Sequence, residues 1–479
     1  MPNIILATDS YKTSHYKQYP PGTSRVTSYI EARVGGDFDK VLFFGLQAFI
    51  REYLDKPINL RDIQEAEAII TGQGMPFNRD GWVHILRKHN GYMPVVIEAL
   101  PEGVVVPVGT PLVQIYNTDP ACFWLTSYLE TALLRAIWYP STVATVSWYA
   151  RQELGRYVEE TTDGDVSAVL DFMLHDFGAR GVSSGESAML GGMSHLINFK
   201  GTDTVEGLTG AMRYYDAGEV VGFSVPASEH STMTAWSECN EEIAYSNMLR
   251  AFPDGIVSIV ADSYDYKNAV ENIFGDKLQM RIIERGRRGG RTVIRPDSGD
   301  PVPTVLFTLN SLARVFECET NTKGFRVLPD YIRVLWGDGI DLQDMIEILQ
   351  AMRVRGWAAE NIVFGMGGGL LQKVNRDSLR FAMKANQITI LGESMPISKS
   401  PKTDPSKGSK AGVQTVYFAE ETGLVVTTRK EYMTKHPATA FDLLMPRYVD
   451  GGVVNQSTFQ EVRERAASGL LKGAEKKVA

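Results

Sequence analysis

Through the middle of the chain, apolar and β-branched runs end abruptly in glycine or a charged side chain, and helix-compatible sequence follows each one. The runs are Met173–Gly178, Gly222–Pro226, Ile256–Asp262, Thr292–Asp297, Ile332–Asp338 and Asn361–Gly365. Their starts lie roughly 30 to 50 residues apart, the length of a strand-helix unit with its loops. Apolar residues run on without alternating, which predicts strands buried on both faces and hence a parallel sheet covered by helices. At least five of the strand ends carry chemically capable groups. An open doubly wound sheet would concentrate its site at one switch point. Many polar strand ends point instead to a barrel, with its site at the carboxyl ends of the strands.

The flanks are patterned differently. Short strands at Val95–Ile97, Gly103–Val106 and Leu112–Ile115 are separated by the turns Pro101–Gly103 and Val108–Pro111, and Asp119–Trp138 reads as an amphipathic helix. Near the other end, a polar loop at Lys399–Lys410 precedes short strands at Val413–Phe418 and Gly423–Thr428 and a charged tail. The expected organisation is a barrel over 151–385, with 1–150 and 386–479 combining into a mixed α+β domain.

Composition narrows the partners. Of 479 residues, 44% are hydrophobic and 22% charged, as in folded globular proteins. The net charge of -8 argues against nucleic acid, so any phosphate binding must come from local arginines and lysines. The three cysteines, Cys122, Cys239 and Cys318, form no Cys-x2-Cys pair, which argues against a zinc or disulfide framework and for buried free thiols in a reducing compartment. No segment approaches the ~20 apolar residues of a membrane span, and the first apolar run is too short for a signal peptide. A cytoplasmic protein with no membrane partner is the expectation.

Several strand ends carry candidate chemistry. In Arg291–Asp300 a β-branched strand delivers Arg295, Pro296 and Asp297 to a turn. Arg295 suits a phosphate or carboxylate, and Asp297 a sugar hydroxyl or hydrated cation. Pro-Asp-Ser-Gly is also ordinary turn chemistry. Gly365-Met-Gly-Gly-Gly369 lets backbone amides approach an anion, although it matches neither Walker A nor GxGxxG. Gly337-Asp338-Gly339 suits ribose hydroxyls or a hairpin turn. His230 is a candidate acid/base or nucleophile, with Glu229 or Asp262 to orient it. Asp203 with Glu206 is a capping-box pattern starting a helix at Thr204. Phe177 reads as core, Arg180 as a phosphate ligand, and the five arginines of Arg281–Arg291 as a mobile, solvated loop.

Taken together, these segments resemble the nicotinamide phosphoribosyltransferase family. The resemblance is carried nearly end to end by Ala7–Lys12, His15–Pro20, His175–Gly178, Asn198–Thr204, Ser224–Ala227, Glu229–Thr232, Ile294–Gly299, Gly337–Gly339 and Gly367–Lys373. It implies an irregular α/β barrel of the type II phosphoribosyltransferase kind, beside the mixed α+β domain. The implied reaction joins nicotinamide to phosphoribosyl pyrophosphate, giving nicotinamide mononucleotide and pyrophosphate with Mg2+. ATP hydrolysis through a phosphohistidine is the implied coupling. The implied assembly is a homodimer with shared active sites.

The resemblance also implies roles. Phe177 and the partner's Tyr11 sandwich the pyridine ring, and Asp9 and Ser258 also contact substrate. Arg180 and Arg295 hold phosphate or pyrophosphate, and Asp297, Gly337, Asp338, Gly367 and Gly368 hold the ribose phosphate. His230, near Asp262, receives the phosphoryl group. Arg33, Arg376, Lys384 and Lys407 make phosphate contacts across the dimer. Ala382 departs from the vertebrate serine, removing one hydrogen bond to phosphate. Asp203 gains a second role: its carboxylate accepts from the amide of nicotinamide and repels nicotinate, by on the order of several kcal/mol in a dry pocket. The metal ligands stay unassigned. Two rivals remain: a nicotinate phosphoribosyltransferase, and a non-catalytic nucleotide-binding protein on the same scaffold.

Overall fold

The computed structural model describes residues 3–403, 408–419, 422–435 and 442–469. The chain divides into two compact units: Met1–Thr145, Ala211–Gly218 and Asn375–Ala479 form the first, and Val146–Gly210 with Glu219–Val374 the second.

The first unit is built on a seven-stranded sheet in the order Glu393–Pro396, Ala382–Ile390, Thr23–Glu31, Pro111–Asn117, Val95–Ala99, Met445–Val449, Gly452–Val453. Its pairings are antiparallel. Strands from both ends of the chain therefore share one sheet. Beneath it lies an apolar core that includes Ile30, Phe43, Ile97, Ile115, Trp82 and Trp124. The helix expected to end at Trp138 instead runs from Glu130 to Thr161, past Pro140.

The second unit carries a six-stranded parallel sheet in the order Gly201–Thr202, Leu174–Asp176, Ile362–Met366, Ile332–Trp336, Arg291–Arg295, Ile256–Val260. Five of these strands coincide with the predicted apolar runs. The sixth, Gly201–Thr202, is too short for periodicity to reveal. Gly222–Pro226 forms no regular strand. Phe223 bridges Gly201 at one edge of the sheet, and Ala227 bridges Ser258 at the other, both in the parallel sense. The curled sheet thus has both edges joined to one short segment, which makes the barrel irregular. Ile332–Trp336 is buried throughout, as a strand covered on both faces must be.

Helices begin where local chemistry allows. Asp300 precedes Pro301–Val315, with proline in the first turn. Asp341 forms a reciprocal capping box with Asp344 at the start of Leu342–Val354.

Two expectations need correction. Arg281–Arg291 is no solvated loop: Gln279–Arg287 is a helix, and Arg285 is buried. Its guanidinium donates to the carbonyls of Phe252, Asp254 and Gly255, the turn that leads into Ile256–Val260. A charge is buried there because backbone carbonyls surround it, although that of Gly255 also accepts from the Arg291 amide. Of the cysteines, only Cys122 is buried; Cys318 is partly exposed, Cys239 is exposed, and all three are free thiols. Among the described residues, no helix is long and apolar enough to cross a membrane.

Replacing Arg285 by Met keeps the bulk but leaves the Phe252 and Asp254 carbonyls without this donor, while Gly255 keeps the Arg291 amide. The expected loss is about 3 kcal/mol of unfolding free energy in urea denaturation. Wild-type stability in Arg285→Met would show that solvent satisfies the turn.

Candidate active site

Six parallel strands share one polarity, so the residues that follow them gather at one end of the second unit. Phe177 and Arg180 follow Leu174–Asp176, Asp203 follows Gly201–Thr202, and Asp262 follows Ile256–Val260. Asp297 follows Arg291–Arg295, Asp338 follows Ile332–Trp336, and Gly367 follows Ile362–Met366.

Two cavities open there. One, of about 310 Å3, is lined by Phe177, Asp203, Ser224, Ser258, Arg295 and further barrel side chains. The other, of about 470 Å3, is lined by Phe177, Arg180, Arg295, Asp297, Gly337, Asp338, Gly367 and Gly368. Phe177 and Arg295 line both. An apolar, aromatic-walled hollow therefore adjoins one built from glycine backbone, arginine and carboxylate.

The Phe177 ring is seated by a glycine. A Cβ at Gly365 would lie 2.0 Å from a Phe177 ring carbon, so a side chain there would evict the ring. Gly368, by contrast, has nothing within 4 Å of its Cβ position and opens onto the cavity. The cluster Gly365–Gly369 thus does two jobs: one glycine packs an aromatic, and another exposes backbone. Phe177 lies at the site, where sequence patterning alone had assigned it to the core.

The charged groups form one connected set. His230 Nε2 lies 2.8 Å from Asp262 Oδ1, and its Nδ1 lies 3.9 Å from Asp297 Oδ2. Ser298 donates to the other Asp262 oxygen at 2.6 Å. Arg295 Nη2 donates to Asp297 Oδ2 at 3.1 Å, while its buried Nε has no hydrogen-bond partner among the described residues. Burial, with Asp262 and Asp338 close by, pushes the Asp297 carboxyl up against the opposing pull of Arg295 and His230. Of the two carboxylates considered for orienting His230, Asp262 makes the contact. Glu229 instead caps the His230–Thr234 helix and accepts from Ser231.

Asp203 faces a cavity. The helix runs Val205–Tyr214, and the Asp203 carboxylate accepts a hydrogen bond from the Ser224 hydroxyl at the first cavity. Ser224 was not singled out in the sequence, nor were Val293, Arg333 and Leu335, which line the same cavity. The signal for the last three was strand alternation. Once Arg295 and Gly337 are known to line the site, side chains two and four residues before them share its face.

The other predicted residues lie in the first unit. Asp9 accepts from Thr131 at 2.6 Å, and Tyr11 is 58% exposed with its ring edge-on to His15. Burial, and then the nearby Arg33, Lys399 and Lys12, hold the Lys384 ammonium below its usual range, with Glu130 opposing them. Arg33 has two buried guanidinium nitrogens without a hydrogen-bond partner among the described residues. Arg376 pairs with Asp377 at 3.3 Å. Lys407 lies outside the described residues.

Asp176 sits behind Phe177, fully buried, and accepts from the Gly178 amide at 2.7 Å. Burial pushes its carboxyl from 3.8 up to about 6. A carboxyl raised on folding binds its proton more tightly in the folded chain. Its contribution is therefore most favourable below pH ~4 and is lost as pH rises towards ~6. Asp176→Asn keeps an acceptor for Gly178 and removes this titration. Measured by urea unfolding, the variant should gain on the wild type by about 3 kcal/mol between pH 4 and pH 7. A pH-independent difference would contradict the assignment.

Comparison with known proteins agrees with this geometry. Residues 172–438 match the model of the nicotinate phosphoribosyltransferase (NAPRTase) family, and residues 3–97 match the nicotinamide phosphoribosyltransferase N-terminal domain. The nicotinamide phosphoribosyltransferase of Xanthomonas campestris pv. campestris (strain 8004) is 44% identical over 98% of this chain and 99% of its own length. That of Acinetobacter baylyi is 33% identical over 98% of each. Among solved structures, nicotinate-nucleotide pyrophosphorylase from Pyrococcus furiosus shares the fold with a TM-score of 0.58 at 15% identity, covering 97% of this chain and 95% of that one. Human nicotinic acid phosphoribosyltransferase does so with a TM-score of 0.55 at 17% identity, covering 97% and 93%. With relatives this similar along nearly the whole length, and with arginine, carboxylate and glycine backbone gathered beside an aromatic pocket, the chain belongs to the NAPRTase family of phosphoribosyltransferase enzymes.

Proposed function

We propose that this enzyme transfers the phosphoribosyl group of phosphoribosyl pyrophosphate to nicotinamide, releasing pyrophosphate and forming nicotinamide mononucleotide. The observation that carries the choice of base is the Asp203 carboxylate on the aromatic-walled cavity. It welcomes the amide NH2 of nicotinamide and repels the carboxylate of nicotinate. Arginines on the same cavity could argue for the acid. However, Arg333 is committed to the carbonyls of Leu328, Pro329 and Ile332, Arg291 Nε donates to that of Asp330, and Arg295, which lines both cavities, pairs with Asp297 on the phosphate side. Relatives named for the amide substrate support the same reading.

The phosphoribosyl half falls to the second cavity. Arg180 and Arg295 stabilise the departing pyrophosphate, and the amides around Gly367 and Gly368 take the ribose phosphate. The Asp297 carboxylate stabilises the positive charge that develops at the sugar as the bond to C1 lengthens. Asp297 and Asp338 would hold Mg2+, since the oxygens of Asp262 are taken up by His230 and Ser298. Burial, and then the nearby Asp262 and Asp338, already push Asp297 up, and Mg2+ binds through one or two carboxylates together with phosphate oxygens. Bound there, the ion would neutralise charge on the pyrophosphate.

ATP coupling is part of the proposal. With Asp262 accepting from Nε2–H, His230 presents the Nδ1 lone pair. That nitrogen attacks the γ-phosphorus of ATP, forming an N–P bond as the bond to the ADP oxygen breaks. The active form is a homodimer, in which the partner subunit's Tyr11 closes the base against Phe177. Its Arg33, Arg376, Lys384 and Lys407 supply further positive charge to phosphate. The cations around Lys384, and the Arg33 nitrogens that have no hydrogen-bond partner among the described residues, support an anion there, beside Glu130 and Glu31.

One assay tests the base and the coupling together. The enzyme is given phosphoribosyl pyrophosphate with nicotinamide or nicotinate, with and without ATP. A strong preference for nicotinamide is expected, with more product at equilibrium when ATP is present. Asp203→Ser should narrow the ratio of kcat/KM for the two bases by about tenfold or more. An unchanged ratio would remove Asp203 from base selection. His230→Ala should abolish the ATP effect.

A further inference from the structure

The first unit holds a second group of chemically capable side chains that phosphoribosyl transfer does not use. It lies at the end of the Arg79–Lys88 helix. Trp82 on that helix packs edge-on against Trp124 at 4.9 Å and Tyr128 at 5.0 Å, which fixes the helix against the segment after Asn117. From the fixed end, His84 Nε2 reaches Asp119 Oδ2 at 2.8 Å, and His89 Nε2 reaches the same oxygen at 2.7 Å. The other Asp119 oxygen accepts from the Ala121 amide at 2.9 Å and so caps the Pro120–Cys122 turn. That turn brings the Cys122 thiol in from below. The ligand atoms of His84, Asp119 and Cys122 all lie within 4.8 Å of one another.

We propose that His84, His89, Asp119 and Cys122 bind a zinc ion that ties the end of the Arg79–Lys88 helix to the turn at 119–122. The donors are two imidazoles, one carboxylate and one thiolate, a mixed set that zinc accepts more readily than magnesium or calcium. Their spacings, His-x4-His and Asp-x2-Cys, fall within the ranges of zinc ligand pairs. The lack of any Cys-x2-Cys pair hid the site, because an aspartate stands where a second sulfur would be expected. Four protein donors leave no open position, so the ion's role is structural. Zinc bonds of about 2.0 to 2.3 Å set the ligand atoms roughly 3.3 to 3.8 Å apart. The imidazole nitrogens, 2.8 and 2.7 Å from the Asp119 oxygen, must back away from it, and His89, outside the 4.8 Å group of His84, Asp119 and Cys122, must swing in. Side-chain rotation supplies that, since both imidazoles are partly exposed. Lys88 Nζ, 2.9 Å from the shared oxygen, competes with the ion; its side chain is 59% exposed and free to swing into solvent.

The test uses the whole enzyme, stripped with a chelator and titrated with zinc alone against a chromophoric competitor. About one ion per chain is expected. His84→Ala and His89→Ala should each weaken binding by about tenfold or more. Protein loaded with Co2+ should show a thiolate-to-cobalt charge-transfer band that Cys122→Ser lacks. Lys88→Ala removes an exposed side chain, is expected to fold, and should bind zinc more tightly than the wild type. No saturable binding, equal affinity in a folded His84→Ala/His89→Ala chain, or unchanged affinity in Lys88→Ala would each overturn the site and leave Asp119 a hydrogen-bonding hub only.

Discussion

Parallel pairing is the constraint on which the catalytic unit depends. A strand that runs parallel to its neighbour must deliver its next residue to the same end of the sheet. Six strands in one sense therefore bring segments as distant as Phe177 and Gly367 to one face without any specific attraction between them. The short segment from Phe223 to Ala227 completes the arrangement. By bridging Gly201 on one side and Ser258 on the other, it curls the sheet so that its end becomes a bowl. Ser224, carried on that segment, meets Asp203 across the bowl.

Inside the bowl, electrostatics sets which groups can coexist. Asp262, Asp297 and Asp338 would repel one another in a partly dry site, and Arg295 and His230 are interleaved to offset this. The Nε of Arg295 is buried without a partner, and one face of His230 stays open. A set left under-satisfied in this way is prepared for a charged substrate, and that preparation is what stabilises a transition state without reorganisation. The first cavity differs: most of its surface is apolar, and among the described residues Asp203 is the one carboxylate residue in its lining, with three arginines. Phe177, shared by both, stands between an aromatic-walled hollow and one built from glycine backbone, arginine and carboxylate.

Glycine at position 365 shows how the fold reads its own sequence. Four glycines in five residues look like an anion loop, and Gly368 does open onto the cavity. Gly365, however, is needed because the Phe177 ring occupies the space where its Cβ would be. Packing and binding are interleaved in one motif, and only the partner ring, nearly two hundred residues earlier, tells them apart. Arg285 is a similar case: a charge-rich run suggested solvent, yet one of its arginines is spent on buried carbonyls.

By itself, the sequence determined the parallel sheet, five of its six strands and the polar strand ends, because burial on both faces leaves an unbroken apolar run that any reader can see. It also placed Arg295, Asp297, Asp338 and the glycine cluster at turns, since turn chemistry is local. The tertiary structure alone decided that Asp262 rather than Glu229 orients His230, that Phe177 faces a cavity rather than the core, and that Asp203 meets Ser224 across the sheet. These depend on distances between residues far apart in the chain. Local propensity carries no information about such distances; chain closure and sheet register set them.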